Sequence, residues 1–162
     1  MRRAGVLAAL MLAGGLAVAA GAAGGQGQQA QTAEIQKVKE NLFVITGGGG
    51  NTAAFITEKG VVLVDTKLAN WGERIMAQVK SVTDKPVTTI INTHTHGDHV
   101  GSNEHFEPSV EVVAHENTKA NMGRMDAVKT KPQATPDRTF KHRWTVGTGR
   151  ERIEIHYFGR AH

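Results

Sequence analysis

The chain has 162 residues, of which 40% are apolar, 21% charged and none cysteine, and it carries a formal net charge of +4. Without cysteine it has no disulfide framework, no thiolate ligand and no site for a lipoprotein-type lipid. Arg2 and Arg3 supply part of the positive excess, and the basic stretch at Lys129 and Lys131 runs at once into Pro132, so no nucleic-acid-binding patch is expected.

Met1-Arg2-Arg3, the apolar run 4–20 and the small residues Ala17-Val18-Ala19 and Ala20-Gly21-Ala22 read as a secretory signal peptide over residues 1–22. The run is too short and too rich in Gly and Ala for a span, which needs about 20 strongly apolar residues. A periplasmic or secreted product with no stable membrane anchor after cleavage is expected. Residues 23–33, rich in Gly, Gln and Ala, read as a disordered spacer. Residues 34–162 then read as one α/β domain.

In that domain 35–38, 42–45 and 53–56 are short strands, and 61–64 is a continuous apolar run suited to burial on both faces. Asn70 offers an N-cap with Glu73 three residues later. Trp71, Ile75, Val79 and Val82 follow at helical spacing until Pro86 closes the segment. Residues 87–92 form a buried strand, 110–114 another, 116–125 a helix, and 129–137 a loop containing Pro132 and Pro136. A final hairpin turns near Gly147-Thr148-Gly149 into the alternating Ile153-Glu154-Ile155-His156-Tyr157.

The chemistry concentrates in Thr93-His94-Thr95-His96-Gly97-Asp98-His99. His94 and His96 follow the strand 87–92, and in extended chain residues two apart point to the same side, so one cation takes both imidazoles. Gly97 permits a sharp turn that directs Asp98 and His99 toward a neighbouring second cation. Nitrogen and carboxylate donors without thiolate suit zinc, and iron or manganese tolerate the same set. Gly47-Gly48-Gly49-Gly50 lacks the Lys-Ser/Thr of a phosphate loop and reads as a flexible turn. His105, His115, His142 and His156 stand apart from the motif and read as surface or packing residues, and Trp71 and Trp144 as core or interface.

The pattern His94, His96, Asp98, His99 resembles the H-x-H-x-D-H motif of the metallo-β-lactamase superfamily. Residues 61–66 are similar to that family's first motif, an apolar strand ending in Asp, and Gly159-Arg160-Ala161-His162 to its later G-x-x-H segment. The resemblance runs from about residue 34 to the end. It implies an αβ/βα sandwich, two sheets between outer helices with metals at one edge, whose carboxy-terminal part is missing.

By the same resemblance, His94, His96 and His162 hold a first zinc, and Asp98 and His99 a second, with further ligands beyond residue 162. Asp65 accepts hydrogen bonds behind the metal loop, the glycine turn is a substrate flap, and Asp98 is catalytic. It orients a metal-bound hydroxide that attacks a small ester, amide, lactone or β-lactam-like substrate. Alternatives are a non-catalytic metal-binding protein that ends at His162, an inactive truncated product, or a mononuclear iron oxygenase of the same fold. Ending on a ligand reads as an amino-terminal fragment; if this is the whole product, an exposed apolar sheet face and open strand edges are expected.

Overall fold

The structure, a computed structural model, describes residues 32–125 and 134–160. The signal peptide, most of the spacer, much of the 129–137 loop and His162 lie outside the described residues. Strands β1 (Glu34–Lys39), β2 (Leu42–Thr46), β3 (Thr52–Ile56), β4 (Val61–Val64), β5 (Val87–Asn92), β6 (Glu111–His115) and β7 (Arg138–Phe140) form a seven-stranded sheet in chain order. Tight turns make β1 to β4 antiparallel. From β4 to β7 the pairing is parallel, and each connection carries a helix, as a parallel crossover requires.

Helix α1 (Gly72–Lys80) buries Ile75 and Val79, and with Trp71 these join Phe43, Ile45, Leu63, Ile90 and Val112 in the main core. By strand alternation Val62, Ile91 and Val113 face the other way, and they are buried too. A smaller cluster of Val100, Met122 and Ala134 involves the short helices α2 (Gly97–Val100) and α3 (Glu116–Met122). Strands β8 (Arg143–Val146) and β9 (Ile153–His156) form the expected hairpin as a separate antiparallel pair. It docks at the end of β6, where Tyr157 stacks on His115 with ring centroids 3.7 Å apart and donates its backbone N–H to His142 O.

Several local expectations change. Asn70 does not cap α1: it takes a left-handed conformation with φ 65°, and Trp71 occupies the cap position without a side-chain cap. The Trp71 backbone N–H instead donates to Ser102 Oγ at 2.8 Å, a partner 31 residues away that local sequence cannot reveal. Helix α3 stops at Met122 rather than 125, and His115 caps it through Nδ1, which accepts from Asn117 N. Strand β7 was not anticipated because it is three residues long and takes its place by pairing with β6. Among the described residues the exposed large hydrophobics are Val38, Leu68 and Phe158, whereas Leu42, Val44 and Phe55 are half-buried.

One buried polar residue ties the ends of the parallel strands together. Asn103, 1% exposed, accepts from Thr66 Oγ1 at 2.7 Å and Asn92 Nδ2 at 3.2 Å, and donates to Asn92 Oδ1 and Ala134 O. Its removal strands several buried polar groups at once, each costing a kilocalorie or more. Asn103→Ala is therefore expected to lower unfolding free energy by about 3 kcal/mol in urea titrations; a loss below about 0.5 kcal/mol would contradict that account of the network.

Candidate metal centre

The carboxyl ends of β4, β5 and β6 lead to Asp65, to Thr93 and His94, and to His115, so the site lies on the sheet edge where parallel α/β folds bind ligands. Asp65 begins the loop after β4 with φ 63°, a conformation that is costly outside glycine, and its backbone N–H donates to Ile91 O at 2.9 Å. Its carboxylate is buried and receives three donors. Oδ1 accepts from Thr93 N at 2.8 Å, and Oδ2 from Thr93 Oγ1 and from His99 Nδ1, each at 2.7 Å.

These bonds decide the tautomers of two imidazoles. A carboxylate only accepts, so His99 donates from Nδ1, which in the neutral ring leaves Nε2 as the ligand atom. The Thr93 hydroxyl gives its one proton to Asp65, so it can only accept from His94 Nδ1, 2.9 Å away. In the neutral His94 ring the proton then sits on Nδ1. One carboxylate thus orients both rings, His99 directly and His94 through Thr93.

Asp65, His94 and His99 each place a ligand atom within 4.8 Å of the others, so the three together could hold a cation. Asp65 has both oxygens taken by hydrogen bonds, which makes it the support of this group more readily than its ligand. Asp98 lies at the start of α2, its Oδ2 3.5 Å from His99 Nε2. Tetrahedral ligands at about 2.1 Å from a zinc are themselves about 3.4 Å apart, so this pair fits a shared cation.

His96 is the residue before α2, and its ring meets that of His94 edge-on with centroids 4.7 Å apart. The two rings meet although neither residue is in a strand, since β5 ends at Asn92 and the chain bends after it. The closer ring to His94 is that of His99, at 4.1 Å. His162, the remaining predicted ligand, lies outside the described residues.

The glycine turn lies against this group and is fastened to it. Gly50 N donates to Asp98 O at 3.2 Å, and Leu68 N donates to Gly48 O at 3.3 Å. A Cβ on Gly50 would stand 2.8 Å from His99 Nε2 and 2.7 Å from Asp98 O, so the absent side chain leaves the space a ligand of that nitrogen would fill. Behind the turn is Lys67, with no exposed surface, whose Nζ donates to Ile45 O and Gly50 O, each at 2.8 Å. No carboxylate faces the ammonium in these bonds. Burial lowers its pKa from 10.5 to about 8.

The sequence profile of the Metallo-beta-lactamase superfamily matches residues 45–162. The chain belongs to this superfamily. It is 29% identical over 144 residues to Metallo-beta-lactamase type 2 of Elizabethkingia meningoseptica, which covers 80% of this chain and 53% of that protein. It is 32% identical over 107 residues to the 2,4-dinitroanisole O-demethylase subunit alpha of Nocardioides sp. (strain JS1661), covering 59% of this chain and 32% of that one. Among solved structures, a metallo-beta-lactamase from Pontibacter korlensis superposes with a TM-score of 0.64 at 24% identity, over 78% of this chain and 60% of its own. The chain thus spans about half the length, or less, of the curated relatives it matches.

In this metallo-β-lactamase fold, a groove of about 640 Å³ opens beside His94 and His96, bordered by His115, Asn117, Arg124 and Tyr157. A second cavity, of about 580 Å³, lies at the opposite ends of β5 and β6 among Met76, Val87, Phe106 and Val110, remote from the histidine motif. Sequence reading anticipated Asp65 but not Thr93 or Lys67. Thr93 adjoins the motif and could have been suspected. Lys67 resembles any lysine after a strand, and its burial is a tertiary fact.

The pH response of Lys67 follows from its environment. Its folded pKa lies below its unfolded one, so between about pH 8 and pH 10.5 the unfolded chain binds more protons and this residue's contribution to stability rises with pH. The penalty is fully present below about pH 8. Urea unfolding of the wild type and Lys67→Met across this window should show the wild type gaining relative stability as pH rises; parallel curves would contradict the assignment.

Proposed function

We propose that the protein is an exported, zinc-dependent hydrolase of small ester, amide, lactone or β-lactam-like substrates. The observation that carries this reading is the Asp65 carboxylate, which holds His99 directly and His94 through Thr93, with Asp98 beside the His99 ring. On this reading His94, His96 and His162 hold one zinc, Asp98 and His99 contribute to a second, and Asp65 stands behind them as the hydrogen-bond acceptor. Bound zinc supplies Lewis acidity and, through it, a nucleophile from water at neutral pH.

The chain's own residues supply the positioning. Asp98 is partly exposed, with 41% of its side-chain surface open, and its carboxylate accepts a proton or hydrogen bond from the attacking water. The groove bordered by His115, Asn117, Arg124 and Tyr157 admits the substrate next to His94 and His96. Export rests on the amino-terminal pattern of residues 1–22 and directs the reading toward small extracytoplasmic molecules. The names of the relatives span a β-lactamase and an ether-cleaving O-demethylase, so a substrate screen should include both bond types.

His96→Ala is expected to abolish tight metal binding at the first site, whereas Asp98→Asn should retain one zinc per chain and lose about 100-fold or more in turnover. Equal metal content and activity in the two variants, measured by elemental analysis and substrate hydrolysis, would overturn the assignment. Zinc uptake by the wild type without hydrolysis of any screened substrate would favour a metal-binding protein instead. Asp65→Ala, which frees both Thr93 and His99, should weaken zinc binding by about 10- to 100-fold in chelator competition; unchanged affinity would remove Asp65 from the support of the site.

A further inference from the structure

The 65–70 loop is unusually constrained for a connection between a strand and a helix. Asp65, Lys67 and Asn70 all have positive φ, at 63°, 63° and 65°, although none is glycine. Lysine has no side-chain bond to its own backbone that would favour this conformation, as Asn and Asp have. Lys67 is also one of the largest fully buried side chains of the molecule. A strained, buried cation is retained in a fold only where the surroundings compensate for it, and here the compensation is two backbone carbonyls.

Those carbonyls come from the two sides of one turn. Ile45 is in β2 and Gly50 lies just before β3, so the Lys67 ammonium spans the base of the Gly47–Gly50 turn from beneath. The same Gly50 donates its N–H to Asp98 O, and a Cβ on it would stand 2.8 Å from His99 Nε2. Glycines left to themselves sample many backbone conformations, so four in a row would hold no fixed position over the motif. Lys67 is further joined to the motif's far end, since its own carbonyl accepts from Gly101 N at 2.9 Å.

We propose that Lys67 is a positioning residue: it clamps the Gly47–Gly50 turn onto Asp98 and His99 and thereby sets the affinity of the cation these two residues help hold. The inference deepens the metallohydrolase reading and rests on it for the metal. It differs from the substrate flap expected from sequence, because the turn is held from below by an internal ammonium and behaves as part of the metal loop.

The test uses the full-length protein and two substitutions. Lys67→Met keeps the length of the side chain and removes its donors. Gly50→Ala keeps Lys67 and places a methyl group against His99 and Asp98 O. In Lys67→Met, amide hydrogen exchange at Gly48, Gly49 and Gly50 should accelerate by about 10-fold or more. Chelator competition should show about 10-fold or greater loss of zinc affinity at one site, with the other unaffected. Gly50→Ala should reproduce the affinity loss.

A Lys67→Met protein with wild-type exchange in the turn and wild-type zinc affinity overturns the inference. So does equal weakening of both zinc sites in Lys67→Met, which is the mark of a merely structural role. If Lys67→Met does not fold, Gly50→Ala decides: unchanged affinity there overturns the inference. A wild-type protein that takes up no zinc overturns the metallohydrolase reading and this inference with it, an outcome distinct from tight wild-type binding that is indifferent to both substitutions.

Discussion

Asp65 stands where β4 leaves the sheet, and its carboxylate collects the Thr93 backbone N–H, the Thr93 hydroxyl and the His99 imidazole N–H. A buried carboxylate without such donors would be strongly disfavoured, so the loop after β5 must come to it. That requirement fixes the exit of β5, the direction of α2 and the tautomers of His94 and His99 together. The strained φ of Asp65 is sustained because the next strand binds its backbone too, through Ile91 O.

A second layer of the same design lies around this carboxylate. Asn103 joins Thr66, Asn92 and the backbone at Ala134, and Ser102 bridges Leu68 O and Trp71 N. Thr66 N and Gly101 N close backbone bonds to His99 O and Lys67 O. The 65–71 and 99–103 segments are therefore bound side by side, as polar backbone buried at the end of a sheet must be to satisfy its hydrogen bonds. The glycine turn completes the enclosure from a third side, with Lys67 as its internal fastening. Rigidity at this edge suits a site whose donor atoms must stay within a few tenths of an ångström of their working positions.

Much of the framework was legible from local pattern. Strands β1 to β6, the apolar stripe of α1 and the closing hairpin follow from periodicity and turn residues, because each is a response of a short segment to one buried face. What periodicity missed was β7, whose three residues carry no pattern of their own, and the bond from Trp71 N to Ser102 Oγ, an acceptor from another loop. Likewise the bend after Asn92 brings His94 against both His96 and His99, a contact that strand spacing does not describe.

The sequence by itself determined the family and the concentration of histidine and aspartate over residues 93–99, since these depend on residue types at short fixed spacing. Only the tertiary structure decided which imidazole neighbours which, that Asp65 holds His99 directly and His94 through Thr93, and that Lys67 is buried beneath the glycine turn. Those properties depend on groups up to 34 residues apart meeting in space, as His99 meets Asp65. The physical reason is that hydrogen-bond partners and burial belong to the packed arrangement of the segments, and no single segment encodes them.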